Sequence, residues 1–196
     1  MEGAPVTTGL PTGLAVALPG WVADLVAPAH RFRSDEEKMR LAVCLAAENV
    51  EREVGGGPFG AAVYQRDTGR LVSVGVNSVI RLGNSVLHAE VVALMLAHRA
   101  TGFYSFTAPG APSLELVTSC EPCIMCLGAT HWSGVSRLVC GATKSDAEAL
   151  GFDEGPVDAA GYDHLARRGL VVVRGVLREE AVAVLRRYQA LGRPIY

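Results

Sequence analysis

The chain has 196 residues, of which 49% are apolar and 19% charged. That is too hydrophobic and too weakly charged for a disordered protein, and it is the size of one compact domain with an extension. Eighteen Lys and Arg against 20 Asp and Glu give a formal charge of −2, and no basic run exceeds the pairs Arg167-Arg168 and Arg186-Arg187. A nucleic-acid footprint, which shows as a concentrated basic face, is therefore disfavoured, and a small, weakly charged ligand is expected instead.

Residues 1–33 read as an N-terminal extension punctuated by Pro and Gly, with at most a short helix around Trp21 to Val26. The apolar stretch from Leu14 through Trp21 is cut by Pro19 and Gly20 and has no Lys or Arg before it. It fits neither a signal peptide nor a membrane span, so a cytoplasmic, reducing setting is expected. There the five cysteines should be thiols or metal ligands. Cys120, Cys123 and Cys126 fall within seven residues, whereas Cys44 and Cys140 sit alone in apolar runs and read as small core residues.

Residues 34–196 read as the folded domain. Ser34-Asp35-Glu36-Glu37 has the form of a capping box, and Met39, Val43, Ala46 and Val50 lay one apolar face along a helix that stops at Gly55-Gly56-Gly57. Phe59 to Tyr64 and Leu71 to Val76 predict a hairpin around Asp67-Thr68-Gly69. His88 to Ala100 is apolar nearly all round, as for a helix buried against a sheet. Leu114 to Thr118 predicts a strand, Pro122 a helix at its first position, and Val135 to Gly141 a further strand. After that strand a loop containing Gly151 to Pro156 leads to a helix over Val157 to Arg168, a strand over Leu170 to Arg174 and an amphipathic helix over Glu179 to Leu191. This alternation implies an α/β fold, a three-layer α/β/α sandwich.

Two motifs carry chemistry: His88-Ala89-Glu90 and Pro122-Cys123-Ile124-Met125-Cys126. Each opens a predicted helix. Two thiolates and one imidazole suit Zn²⁺ and leave a fourth position open. Cys123 and Cys126, three apart, share a helix face, and the helix N-terminus favours the thiolate. Glu90 stands beside the metal as a general base and then a general acid. A structural zinc completed by Cys120 or His131, in a scaffold without activity, is the competing reading. An iron–sulfur cluster lacks a fourth cysteine at the right spacing.

Together the motifs resemble the cytidine deaminase superfamily, and among its members the bacterial guanine deaminases and nucleoside deaminases most. Further matching stretches are Gly55 to Ala61, Thr118 to Ala129 and Ser145 to Glu154. The resemblance implies the cytidine deaminase-like fold with a mixed central sheet of about five strands. It assigns one zinc ion per subunit to His88, Cys123 and Cys126, makes Glu90 the proton shuttle and leaves Cys120 unligated. It further implies that Asn77, Phe59 and the backbone of Ala89 contact substrate, and that Glu154 is a second catalytic acid. The implied reaction is hydrolytic deamination of a purine base, guanine to xanthine and ammonia. A nucleoside or a related heterocycle is the alternative substrate. A homodimer follows from the family, as does a C-terminal segment, here ending at Tyr196, that closes the pocket.

Overall fold

The computed structural model describes residues 9–26 and 30–196. The readings made for residues 1–8 and 27–29 lie outside it. Helix α1 (Val22–Leu25) is the short helix expected near Trp21, and α2 (Asp35–Arg52) begins at Ser34, whose hydroxyl accepts the Glu37 N–H. The sheet contains β1 (Gly60–Gln65), β2 (Arg70–Val76), β3 (Leu114–Cys120), β4 (Arg137–Ala142) and β5 (Val171–Val173), in the order β2-β1-β3-β4-β5. Strand β1 runs antiparallel to both β2 and β3, whereas β3, β4 and β5 are parallel.

The alternation within β1 divides the core. Ala62 and Tyr64 pack with Met39, Ala42 and Leu45 of α2. Ala61 and Val63 face the other way, toward α4 (Ala89–Thr101), α5 (Ile124–Ser133) and α7 (Ala159–Arg167). Helix α8 (Arg178–Ala190) lies on the α2 side with Ala46 and Val50. Every residue of β3 is buried, as expected for a strand covered on both faces. The approach of α4 is so close that a Cβ at Gly75 of β2 would run into the Ala89 carbonyl, so this position needs glycine.

At the end of the sheet where β3 and β4 begin, Glu115, 1% exposed, takes Lys38 Nζ at 2.5 Å and Arg137 at 2.7 Å. Arg137 also grips Asp35 through two nitrogens. This network fastens α2 to the sheet. The functional groups lie at the opposite end.

Several expectations need correction. Pro122 precedes α5 rather than opening it, and Cys123 takes the N-cap position. The segment read as loop before Gly151 contains α6 (Lys144–Glu148), whose Thr143 and Asp146 form a capping box. Helix α3 (Val79–Leu82) follows β2 unannounced. Cys140 is a core residue as expected, but Cys44 is only half-buried and borders a surface hollow with Phe32 and Arg40.

Candidate active site

His88 and Cys123 are the N-cap residues of α4 and α5, with extended backbones (φ −66°, ψ 157° and φ −65°, ψ 174°). Neither side chain caps its own helix, so both are free to converge beyond the end of β3. Cys126 lies in the first turn of α5. The donor atoms of His88, Cys123 and Cys126 all fall within 4.8 Å of one another, and Cys123 Sγ is 3.5 Å from His88 Nδ1. Ligands of a tetrahedral zinc ion stand about 3.3–3.8 Å apart, so this group is the right size. Its chemistry also fits. The Cys126 thiol and His88 beside it hold Cys123 near a pKa of about 4, while the Cys123 thiolate and burial push Cys126 well up. Burial works against the imidazolium of His88, but the Cys123 thiolate and Glu90 outweigh it and raise its pKa. Three donors compete for protons in one small volume, a conflict that a cation resolves.

Among the described residues the cluster has three members. Cys120, offered above as a fourth ligand, instead turns its thiol toward the Thr143 carbonyl at 3.5 Å. His131 stands against the rings of Trp132 and His164.

Glu90, in the first turn of α4, is 6% exposed and accepts the Cys126 thiol at 3.4 Å. Burial, followed by the Cys123 thiolate, raises its pKa. Glu154 arrives from the loop after α6, is 7% exposed and lines the same cleft. Its pKa is pushed up to about 8 by burial, then by Cys123 and Glu90. Two acids of raised pKa flanking a three-donor cluster form an environment built for proton transfer.

Asn77 leaves β2 at the cleft wall. Its Oδ1 accepts the Val79 N–H at 3.2 Å, which orients the carboxamide, and its buried Nδ2 has no partner among the described residues. A buried amide donor without a partner is costly unless a ligand satisfies it. Phe59 lines the cleft with its ring 5.0 Å from that of Phe152. Ala89 is packed in the core between His88 and Glu90, and only those two neighbours reach the wall.

Contacts distant in sequence complete the site. Asn49 of α2 donates to the carbonyls of Gly57 and Asn77, both at 2.9 Å, and so joins the glycine loop to the Asn77 segment. Glu121, Phe152 and Tyr196 also line the cleft. Tyr196 stands edge-on to Phe152 at 5.6 Å, and its hydroxyl is buried without a partner. The tail that carries it folds back on its own chain: Tyr188 donates to the Pro194 carbonyl at 2.6 Å, and Arg193 donates to the Val50 and Glu53 carbonyls of α2. Only the tail's closing aromatic was visible in the sequence. Two roomier surface hollows, one beside Trp132 and Arg168 and one beside Val22 and Leu96, lie away from this chemistry.

Residues 32–142 match the cytidine and deoxycytidylate deaminase zinc-binding region. The chain is 37% identical over 119 residues to a guanine deaminase of Bacillus subtilis (strain 168), covering 61% of this chain and 71% of that protein. The structure superimposes on a guanine deaminase from Nitrosomonas europaea with a TM-score of 0.86 at 40% identity, covering 93% of this chain and 99% of the other. It is similar, too, to a variant of NE0047 in complex with 8-azaguanine, with a TM-score of 0.85, 40% identity and coverage of 93% and 99%. Three zinc donors at two helix starts, a buried glutamate between them and this matching span lead to one conclusion: the chain belongs to the cytidine and deoxycytidylate deaminase zinc-binding family.

Proposed function

We propose that the chain is a zinc-dependent aminohydrolase that converts guanine and water to xanthine and ammonia. The observation that carries this reading is the convergence of Glu90, Glu154 and the unpaired Asn77 amide on one cleft lined by His88 and Cys123, with Cys126 buried behind them. The resemblance to guanine deaminases and to a structure holding 8-azaguanine supports a purine.

His88, Cys123 and Cys126 hold the zinc, which when bound supplies a Lewis acid that makes hydroxide available near neutral pH. Glu90 takes a proton at its carboxylate and returns it to the ring nitrogen beside the amino-bearing carbon. That proton comes from the attacking water, whose oxygen bonds the carbon and makes it tetrahedral with the amine still attached. Glu154, whose burial favours its protonated form, gives a proton to the departing amine, while Glu90 takes the proton that the new hydroxyl loses as the carbonyl forms. Asn77 Nδ2 donates to the purine oxygen, and Phe59 bounds the flat face of the ring. Tyr196 shuts out water, and its seat favours a free base over a nucleoside, whose ribose would compete with the tail for the cleft mouth.

Residues 34–196 are assigned to one deaminase domain and residues 1–33 to an extension. Within the extension, the Trp21 indole donates to Glu53 at 2.9 Å, and the Ala17 carbonyl accepts from Arg81 at 2.6 Å. Met95 of α4 and Ile124 and Trp132 of α5 are exposed apolar side chains on neighbouring helices, and we assign that face to a second copy of the chain. No helix among the described residues is long and apolar enough to cross a membrane. The five cysteines are unpaired, which supports a cytoplasmic setting.

The test is ammonia release by the zinc-loaded protein on guanine, guanosine, adenosine, cytidine and cytosine, with Glu90→Ala and Glu154→Gln alongside. Guanine turnover lost in Glu90→Ala with zinc retained is expected. Turnover of a nucleoside in preference to guanine would replace the proposed substrate, and a protein inert toward all five would favour the scaffold reading.

A further inference from the structure

Glu154 sits in a loop rather than on a helix or strand, yet an acid that transfers protons must be held to a fraction of an ångström. Its own peptide supplies one anchor, the Glu154 carbonyl accepting the Ile124 N–H of α5 at 3.0 Å. The second comes from Lys144, the first residue of α6. Its ammonium donates to the Gly155 carbonyl at 2.7 Å and lies 3.4 Å from the Val157 carbonyl. The two peptide units that follow Glu154, one on each side of Gly155, are thus pinned. Gly155 lies so close to Ile124 that an added Cβ would meet the Ile124 side chain at 2.6 Å.

Lys144 is itself well braced. Its backbone N–H donates to Glu121 Oε2 at 2.9 Å, and Glu121 Oε1 takes Arg174 Nε at 2.6 Å. The Arg174 guanidinium lies over the Tyr162 ring, 4.3 Å from its centroid. Glu121 in turn lines the cleft. A continuous chain therefore runs from the segment after β5 through Glu121 to the loop bearing Glu154. Beyond these carbonyls, Lys144 meets the half-exposed Glu148 at 3.4 Å, one turn along the same helix, an exposed pair of small worth.

We propose that Lys144 is a positioning residue for the deamination: its ammonium clamps the Gly155 and Val157 carbonyls and so holds the Glu154 carboxyl at the substrate. This rests on the reading that Glu154 acts on a purine. A charged hydrogen bond to a carbonyl has the strength for such a clamp. A small displacement of a reacting group can cost up to about 100-fold in rate.

The test is a double-mutant cycle on the full-length, zinc-loaded protein with guanine as substrate. Lys144→Met is expected to lower kcat at least about 10-fold with an unchanged zinc content, and to speed amide exchange selectively in residues 152–157. Lys144→Arg, which keeps donors at the carbonyls, should recover most of the rate. In the Glu154→Gln background Lys144→Met should cost almost nothing more, because the group it positions is already disabled. A defective Glu154→Gln together with a fully active Lys144→Met, or with losses that multiply in full, overturns the clamp while leaving the role of Glu154 standing. A fully active Glu154→Gln removes the reading underneath, and the clamp with it.

Discussion

Gly57→Ala tests the closure of the cleft without touching a zinc donor or a carboxylate. The backbone at Gly57 is outside the left-handed region, so alanine introduces no strain of its own. Its Cβ, however, would overlap the Tyr196 hydroxyl and come within 2.9 Å of both Cγ and Oδ1 of Asn77. Asn77 need shift only by a few tenths of an ångström, whereas the Tyr196 hydroxyl must move away altogether. Asn77 is held through its carbonyl, its N–H and its Oδ1, whereas the Tyr196 hydroxyl is held by nothing, so the tail gives way. If about 100 Å² of ring surface returns to water, closure weakens by about 2.5 kcal/mol at about 25 cal/mol per Å², or roughly 60-fold in the closed population. Steady-state kinetics on guanine should show kcat/KM falling by up to that factor, with zinc content and thermal unfolding close to wild type. Tyr196→Phe alone should be nearly silent, and in the Gly57→Ala background it should recover part of the loss by removing the overlapping atom. Wild-type kinetics for Gly57→Ala would show that Tyr196 does not close the working site. A loss that Tyr196→Phe leaves untouched would place the damage at Asn77 instead.

Three further outcomes are expected. Glu90→Gln should lower kcat at least about 100-fold while metal analysis still finds zinc. Glu115→Ala should cost about 3–5 kcal/mol in urea denaturation, because it leaves the charges of Lys38 and Arg137 partly buried without their common partner; Glu115→Gln, which keeps a hydrogen-bonding oxygen, should cost less. Acid should weaken the fold through Asp146, which the Arg178 guanidinium holds down to about 2 against an ordinary 3.8, and through Asp35, lowered by Arg137. A depressed folded-state pKa contributes stability that is complete above the unfolded value and lost as pH falls toward the folded one. The melting temperature should therefore drop between about pH 4 and pH 2, and less steeply in Asp146→Asn, which has no carboxylate there to protonate.

The parts legible in the sequence are those whose signals are local. Cys123 and Cys126 are three apart and His88 is two from Glu90, so the donor set and its neighbouring acid could be read before any fold was known. The apolar faces of α2 and α4 and the strands of the sheet follow from periodicity in the same way. Boundaries were less secure: Pro122 is compatible with either the first helical position or the residue before the cap, and only the backbone of Cys123 decides between them. Helix α6 is five residues long, too short for a period, and its one sign was a Thr143–Asp146 pair resembling any polar turn. The bracing of the site was the least legible part. Asn49 reaches Asn77 across 28 residues, and Arg193 reaches Val50 across 143. Lys144 binds carbonyls that carry no sequence identity at all. Tyr196 could be noticed as a closing aromatic, but its place over the cleft depends on Tyr188 and Arg193 folding the tail back on its own chain.

Zinc-dependent guanine deamination is tested most directly by ammonia release from guanine by protein carrying one zinc per chain, compared with protein stripped by a chelator and then reloaded. The zinc-loaded protein should release xanthine and ammonia in equal amounts, the stripped protein neither, and reloading should restore both. Zinc-loaded protein that leaves guanine unchanged, or equal turnover with and without the metal, would contradict it.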